Sequence, residues 1–293
     1  MKARVGHLAV APRVAARVLA AAALTAALLA ARPAAAGPWT KDLGQFYVKL
    51  NQGLFIASST PSVMGGVVSG VDYLGATTSL YFEAGVWKGL QVQGFIPYLF
   101  SSNDYVNDAA FINAGGADMI LGVQYTPPLR LPFKYALRVD VKVPLYTVIP
   151  DVPFATRYPA LGDGQLDLTF WLALGGSLDK IPLYGFVELG YRHRTEAYTG
   201  DDPGDGRSFK DGIALFGQVG YKLFSRLLVM ANASAILTPV DDVYTKSYVT
   251  VGPGIFVKIW KGLAFEANFD AIPWAKNSAT GLQFGAGLSW SQK

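Results

Sequence analysis

The 293-residue sequence contains no cysteine, so disulfide bonds cannot stabilise the fold. Charge is also scarce, because Asp, Glu, Lys and Arg make up 16% of the residues, against about 25% in typical soluble domains. Beyond residue 36 the sequence has no run of 18 apolar residues, which excludes a transmembrane helix there. His193 is the one histidine in that part, and a single imidazole without cysteine argues against a transition-metal site. We predict no cofactor.

The first 36 residues have the pattern of a secretory signal peptide. A basic start leads into a short apolar run from Val18 to Ala31, and three alanines before Gly37 offer a processing site. A membrane-anchoring helix is the alternative, but the run is shorter than the ~20 residues that a span needs. We therefore predict a signal peptide over residues 1–36 and one domain over residues 37–293.

The predicted signal peptide accounts for the basic excess of the sequence. It holds five of the 25 Lys and Arg residues and none of the 21 Asp and Glu residues, so the remainder carries a net charge of −1. This balance gives no reason to expect a nucleic acid partner. Export, an apolar composition and the absence of long apolar runs together favour a transmembrane β-barrel. A secreted β-sandwich, with shorter strands, is the alternative.

Segments of alternating polarity are long enough to cross a bilayer as β-strands. Between Phe133 and Tyr146, apolar residues share one face, and Lys134, Arg138, Asp140 and Lys142 share the other. This segment exceeds the ~9–11 residues that a membrane strand needs. The same alternation predicts strands near 46–56, 75–86, 90–100, 116–126, 133–146, 161–174, 182–194, 212–223, 226–238, 248–260, 263–272 and 281–290. The predicted fold is all-β, a transmembrane antiparallel β-barrel of about 12 strands in the outer membrane of a Gram-negative cell.

The sequence Trp-Lys-Gly-Leu occurs at 87–90 and again at 260–263, each time between two predicted strands. Glycine adopts the positive φ that a tight turn requires, and a tryptophan beside it suits the membrane surface. Short and long connections alternate along the sequence, which places the short turns on the periplasmic side. The predicted membrane-interface aromatic residues are Trp87, Trp260, Tyr125 and Trp290.

Alternation also predicts which ionisable side chains face the interior and line a pore. They are Lys49, Lys134, Arg138, Lys142, Arg192, Arg194, Lys222 and Lys258, with Glu83, Asp118, Asp140, Asp163, Asp167, Glu188, Glu266 and Asp270. Such groups must be hydrated or paired, so the interior is either a water-filled pore or a plugging ion-pair network. We favour the pore, because about twelve strands enclose more space than the eight-stranded barrels that side chains can fill.

Two features suggest other chemistry, and each has a simpler explanation. His193 lies near a predicted strand end, but a hydrolase needs a serine partner, and no serine-containing signature stands out nearby. Asp201, Asp202 and Asp205 could supply oxygen ligands for calcium, but Asp and Gly are equally typical of an exposed loop. We predict neither a metal site nor an enzyme.

Two segments, 114–125 and 161–174, place Gly and Asp before an alternating strand. A Gly-x-Asp-x-x-Leu-Gly-x-x-Tyr pattern is formed by Gly116, Asp118, Leu121, Gly122 and Tyr125, and Gly162 with Asp163 repeats its beginning. The pattern resembles the strand openings of an outer-membrane β-barrel transporter family of the phenol-degradation meta-cleavage pathway. The resemblance implies uptake of small aromatic or apolar compounds, and insertion by the barrel assembly machinery.

The sequence therefore predicts a porin-like outer-membrane channel for passive diffusion of small solutes, with membrane lipid and those solutes as partners. Hydrophobic or aromatic compounds are the candidate solutes. The alternative is a non-conducting structural or adhesion barrel that displays its extracellular loops, predicted at 57–74 and 195–211. Loop 101–115 could fold inward as a constriction or cap the outside.

Overall fold

The computed structural model describes residues 37–62, 64–105, 110–129, 131–148, 153–178, 180–199 and 208–292. The predicted signal peptide and the acidic residues Asp201, Asp202 and Asp205 lie outside these ranges. Within them, no helix is long and apolar enough to cross a membrane. A single 3-10 turn, Ala155–Arg157, interrupts an otherwise all-β structure in these ranges.

Strands account for most of the described chain. They are β1 (Phe46–Pro61), β2 (Val67–Trp87), β3 (Leu90–Tyr105), β4 (Phe111–Gly116), β5 (Asp118–Tyr125), β6 (Lys134–Pro144), β7 (Gln165–Ser177), β8 (Leu183–Tyr198), β9 (Gly212–Lys222), β10 (Leu227–Leu237), β11 (Ser247–Lys258), β12 (Leu263–Lys276) and β13 (Gly281–Ser291). β4 and β5 both pair with β3, and Ala117 alone separates them, so they form one span. The predicted twelve-stranded antiparallel β-barrel is thereby confirmed.

The barrel closes between the first and last strands. Each span pairs with its neighbour in sequence, and β1 pairs antiparallel with β13, where Leu50 faces Leu288. Closure joins the first strand to the last and satisfies backbone hydrogen bonds within the sheet, as a bilayer requires. Among the described strands, β4 is the exception, because it pairs only with β3. A single closed sheet also removes the β-sandwich alternative.

The outer wall is apolar and the inner wall is polar. On β6, Leu137 and Val139 are 51% and 41% exposed, whereas Ala136 is fully buried and Asp140 is 9% exposed. Exposed apolar residues recur on every long strand. An exposed apolar surface of this extent would aggregate in water, but it is what a lipid-facing wall requires.

The two ends of the barrel differ, and they are named here by their connections. At the short-turn end the chain turns at 88–89, 126–133, 178–182, 223–226 and 259–262, and the long-loop end carries the remaining connections. Gly89 and Gly262 have φ of +73° and +76°. Both glycines of the repeated sequence therefore form the tight turns that the sequence predicts.

Two of the loops that the sequence predicts are wrong in extent. β1 and β2 continue to residues 61 and 67, so residues 62–66 connect them, instead of a loop over 57–74. Most of 101–115 is likewise strand, in β3 and β4. Polar residues such as Ser58 and Thr60 interrupt the apolar alternation there, so the sequence pattern does not show that the strands continue. The part of a strand that extends beyond the membrane does not need apolar side chains facing outward.

Candidate functional site in the barrel interior

Ion pairs fill the inner face of strands β5–β8, here called the ion-paired wall. Its members are Asp118, Arg138, Asp140, Lys142, Asp167, Glu188, Arg192 and Arg194. Asp167 is fully buried at its centre, 3.0 Å from the Lys142 ammonium and 3.1 Å from Nε of Arg194. Strand register creates these contacts, because Asp167 lies opposite Lys142 on β6 and Arg194 on β8.

Arg138 joins three strands of the same wall. Its guanidinium donates two hydrogen bonds to Glu188, of 3.0 and 2.9 Å, and a third to Asp140, of 3.0 Å. The guanidinium also stacks on the Trp171 ring at 4.8 Å, a favourable cation–π contact. Trp171 therefore lies inside the barrel, and Arg138 is held in one position by several partners.

The glycines of the transporter-like pattern make room for this network. A Cβ atom at Gly122 would clash with the Asp140 carboxylate, and one at Gly162 would clash with the Tyr146 hydroxyl. Tyr146 donates a 2.6 Å hydrogen bond to Asp118, the acid of the same pattern. The pattern thus marks the place where the β6–β7 connection closes onto the ion-paired wall.

The inner face of β9–β12 and β1 is built differently, and is here called the amide wall. It presents the amides Asn51, Gln218, Asn232 and Asn268 beside the apolar side chains of Leu228, Met230 and Phe256. Gln218 accepts a 2.6 Å hydrogen bond from the Tyr184 hydroxyl and donates one of 2.7 Å to Asn232. Asn268 lies between Gly254 on β11 and Gly285 on β13. Its amide lies over Gly285, where a Cβ would clash with it, so the side chain stays close to the wall.

A cavity of about 350 Å³ lies along the amide wall. Four charged residues line it, and they are paired: Lys41 with Glu83 at 3.1 Å, and Lys49 with Glu266 at 3.0 Å. Tyr47 also donates a hydrogen bond to Glu266. The lining of the cavity is therefore mostly apolar, with amides and paired charges among the apolar side chains, and it is balanced in charge.

The segment before β1, residues 37–45, crosses the interior at the short-turn end. The Gln124 side chain donates a 2.9 Å hydrogen bond to the Gly37 carbonyl, and the Gln91 side chain accepts one of 2.9 Å from the Lys41 amide. Trp39 makes edge contacts with Tyr184 and Phe186, at centroid distances of 6.2 and 6.0 Å. These contacts reach β3, β5 and β8, so this segment narrows the entrance.

Residues 238–246, between β10 and β11, connect the loops at the opposite end. The Gly66 amide donates a 2.7 Å hydrogen bond to the Val243 carbonyl, and the Lys210 amide donates one of 2.9 Å to the Thr245 hydroxyl. Lys246 pairs with Asp163 at 3.0 Å. Several connections therefore meet over the interior at the long-loop end.

Residues 238–246, together with the connections that hold Gly66, Asp163 and Lys210, are here called the cap. Asp163 remains ionised within it. Burial acts to raise its pKa, but Lys246, Arg194 and Lys142 together hold that pKa well below its usual range. The Arg194 guanidinium lies 2.9 Å from the carboxylate. Asp163 therefore links the cap to the ion-paired wall.

The loop that folds inward is the β6–β7 connection, and not 101–115. Asn103 and Asn113, on the inner faces of β3 and β4, donate hydrogen bonds of 2.9 and 3.0 Å to the carbonyls of Arg157 and Pro159. These bonds fasten the 3-10 turn across the inside of the barrel.

The remaining predicted pore-lining residues lie nearer the barrel ends or apart from the ion pairs. Lys134 is exposed at the start of β6, and Lys222 and Lys258 are half-buried near short turns. Asp270 is half-buried and accepts a hydrogen bond from Asn268. The predicted interface aromatics point outward, with exposures of 69% for Trp87, 68% for Trp260, 41% for Tyr125 and 42% for Trp290.

Sequence reasoning missed several residues of the interior. Lys41 precedes the first strand and Lys246 lies in a loop, so no alternation assigns either side chain to a face. Gln218 and Asn232 have inward parity, but they are uncharged, and the predicted pore-lining set contains only ionisable residues. Among the described residues no group of three or more His, Asp or Glu side chains could hold a metal ion.

His193 lies on the outer wall near the long-loop end. Its Nδ1 is 3.1 Å from Asp211, which also accepts a 2.8 Å hydrogen bond from the Arg194 amide and one from the Tyr191 hydroxyl. Slight burial raises the pKa of Asp211, but these hydrogen bonds outweigh it and lower the pKa below its ordinary value. The group is a hydrogen-bonded cluster on the outer surface.

No protein-family model matches the sequence, and no curated protein matches it. Solved structures share its fold. An outer membrane channel from Pseudomonas putida F1 superposes with a TM-score of 0.65 at 10% identity, over 89% of this chain and 100% of that chain. The NanC porin gives a TM-score of 0.51 at 11% identity, over 83% and 98% of the two chains. The translocator domain of autotransporter NalP from Neisseria meningitidis gives 0.51 at 11%, over 95% and 96%. The chain thus has the fold of outer-membrane β-barrels.

Proposed function

We propose that the protein is an outer-membrane channel through which small solutes diffuse along the amide wall. The observation that carries the proposal is the cavity of about 350 Å³ beside that wall. Ion pairs occupy the opposite side of the interior, so the remaining space forms the path. Diffusion needs a surface that binds solutes weakly, and amides beside apolar side chains provide one.

The lining favours neutral or amphipathic solutes over ions of one sign. The two lysines at the cavity are paired with Glu83 and Glu266, so they create no net field. Amides can exchange hydrogen bonds with a solute hydroxyl or carbonyl, while Met230 and Phe256 contact its apolar part. This fits the resemblance to transporters of a phenol-degradation pathway, and the likeness in fold to the channel from Pseudomonas putida.

A non-conducting barrel is the second candidate, and one observation favours it. Both ends of the interior are crossed, by residues 37–45 at one end and by residues 238–246 at the other. The fold does not choose between the two candidates, because a porin and an autotransporter translocator resemble this chain equally well.

Conductance in planar bilayers tests the proposal. Ser79 is 4% exposed and lines the cavity, whereas the next residue, Leu80, is 39% exposed on the lipid side. Ser79→Trp should reduce conductance and the uptake of neutral solutes into liposomes several-fold, and Leu80→Trp should leave both unchanged. Wild-type protein that inserts without conductance or solute uptake would support the non-conducting barrel. Equal conductance in both variants would place the path elsewhere.

A further inference from the structure

Among the described residues, most of the exposed charges are separated by sign between the two ends of the barrel. At the short-turn end the exposed cations are Lys88, Lys134, Lys180, Arg226 and Lys261. Lys134 lies on the inner face of β6, opposite Gly175, and the other four are here called the basic ring. At the long-loop end the exposed charged residues, within the described ranges, are Asp72, Asp104, Glu196 and Asp241. Asp42 is the one exposed acid described at the short-turn end.

Four of the five short turns contribute to the basic ring. Lys88 lies between β2 and β3, Lys180 between β7 and β8, and Lys261 between β11 and β12. Arg226 precedes β10. No carboxylate of the described residues lies within ion-pairing distance of these four cations, in contrast to the paired cations of the interior. Their charge is therefore available to a partner outside the barrel.

An exposed apolar side chain accompanies the cation at each of these turns. Trp87 precedes Lys88 and Trp260 precedes Lys261, at 69% and 68% exposure. Ile181 and Phe224 stand near the other two cations, at 48% and 66% exposure. An apolar group beside a cation fits the boundary between acyl chains and phosphate headgroups.

We propose that the basic ring binds the headgroups of anionic phospholipids, and so holds the short-turn end in a leaflet that contains them. Each lysine or arginine near an anionic surface adds attraction of its own. The ring surrounds the barrel, so it fits a leaflet that also surrounds the barrel better than it fits one compact protein. The proposal is independent of whether the interior conducts.

Tryptophan quenching by brominated lipid tests this proposal, because Trp87 and Trp260 adjoin two of the cations. The protein is reconstituted in phosphatidylcholine vesicles that contain an increasing mole fraction of phosphatidylglycerol, with either lipid carrying the bromines. Brominated phosphatidylglycerol should quench more than brominated phosphatidylcholine at an equal mole fraction. The variant Lys88→Gln/Lys261→Gln should lose relative affinity for phosphatidylglycerol by up to roughly 30-fold.

The matched control is Lys210→Gln/Lys276→Gln, which removes two lysines from the long-loop end. It should keep the wild-type preference. Resistance to unfolding in gels establishes that each variant is folded. Absence of a preference in the wild type, or an equal loss in both double variants, overturns the proposal. Inorganic phosphate, compared with chloride at the same ionic strength, should not reduce the preference; if it does, free phosphate and not the lipid is the ligand.

Discussion

The two walls of the barrel interior use one strand geometry with opposite results. On β6, β7 and β8, Lys142, Asp167 and Arg194 stand side by side in register, so three long or charged side chains meet and fill the space. On β11, β12 and β13, Asn268 stands between Gly254 and Gly285, so a short side chain has room to lie flat. The choice of cross-strand neighbour decides whether a polar residue closes the interior or leaves it open.

The largest difference between the walls should appear in stability. Asp167 is fully buried among three cations, so Asp167→Ala leaves buried positive charges without a partner. Loss of one member of such a network costs about 3–5 kcal/mol. Urea unfolding of the lipid-reconstituted barrel measures this loss.

Asn232→Ala supplies the comparison on the amide wall. It removes one hydrogen bond from Gln218, for which about 1 kcal/mol is expected. Equal losses of unfolding free energy in the two variants would contradict the division of the interior into the ion-paired wall and the amide wall.

Sequence alternation predicted the closed barrel and the interior position of charges such as Arg138 and Asp167, because parity along a strand depends on nothing else. It could not predict partners. Asp167 meets Lys142 and Arg194 only through the register between strands, which the hydrophobic pattern does not encode to the residue. The contacts of Trp39 and Lys246 lie outside any alternating segment, so the narrowing of both ends was beyond prediction.

The second largest effect is expected at the short-turn end, where Trp39 narrows the approach to the amide wall. Trp39→Ala removes edge contacts with Tyr184 and Phe186, each worth about 0.5–1.5 kcal/mol beyond the buried area. Single-channel conductance should rise, because residues 37–45 are released from β8. Trp274→Ala, at the other end of the barrel and 47% exposed, is the control and should leave conductance unchanged. A fall in conductance for Trp39→Ala would show that this segment supports the path and does not narrow it.

A smaller effect is expected at the long-loop end, where Lys246 ties the cap to the ion-paired wall. Lys246→Ala removes one partner of Asp163, and Arg194 remains 2.9 Å away, so a loss of about 1.5 kcal/mol is expected. Single-channel current traces of Lys246→Ala should show more frequent channel openings than those of wild type. Lys276→Ala removes an ion pair to the exposed Asp241, and it should change the traces less. Identical traces for wild type and Lys246→Ala would contradict a role of this pair in closing the cap.

Acidity should not release the same contact in the wild type. The folded-state pKa of Asp163 is depressed, so its contribution to stability is fully present above the unfolded pKa of about 3.9 and is lost only as pH falls through the lower folded value. Conductance traces should therefore stay the same from pH 7 down to about 4. Openings that increase within this range would mean that another group controls the cap.

The smallest effect is expected outside the two walls, at His193 on the outer surface. His193 is exposed and its partner Asp211 is half-buried, so solvent screens their contact, and His193→Ala should cost less than about 1 kcal/mol in urea unfolding. The same variant tests the hydrolase alternative, since a lipid-cleaving activity that depended on an imidazole would disappear with it. We expect the conductance of His193→Ala to equal that of wild type. The amount of fatty acid released from vesicle lipids should match that of a protein-free blank. A large loss of stability here would mean that the outer surface holds a network as tight as the one around Asp167, and the contrast between paired interior and loosely paired exterior would no longer hold.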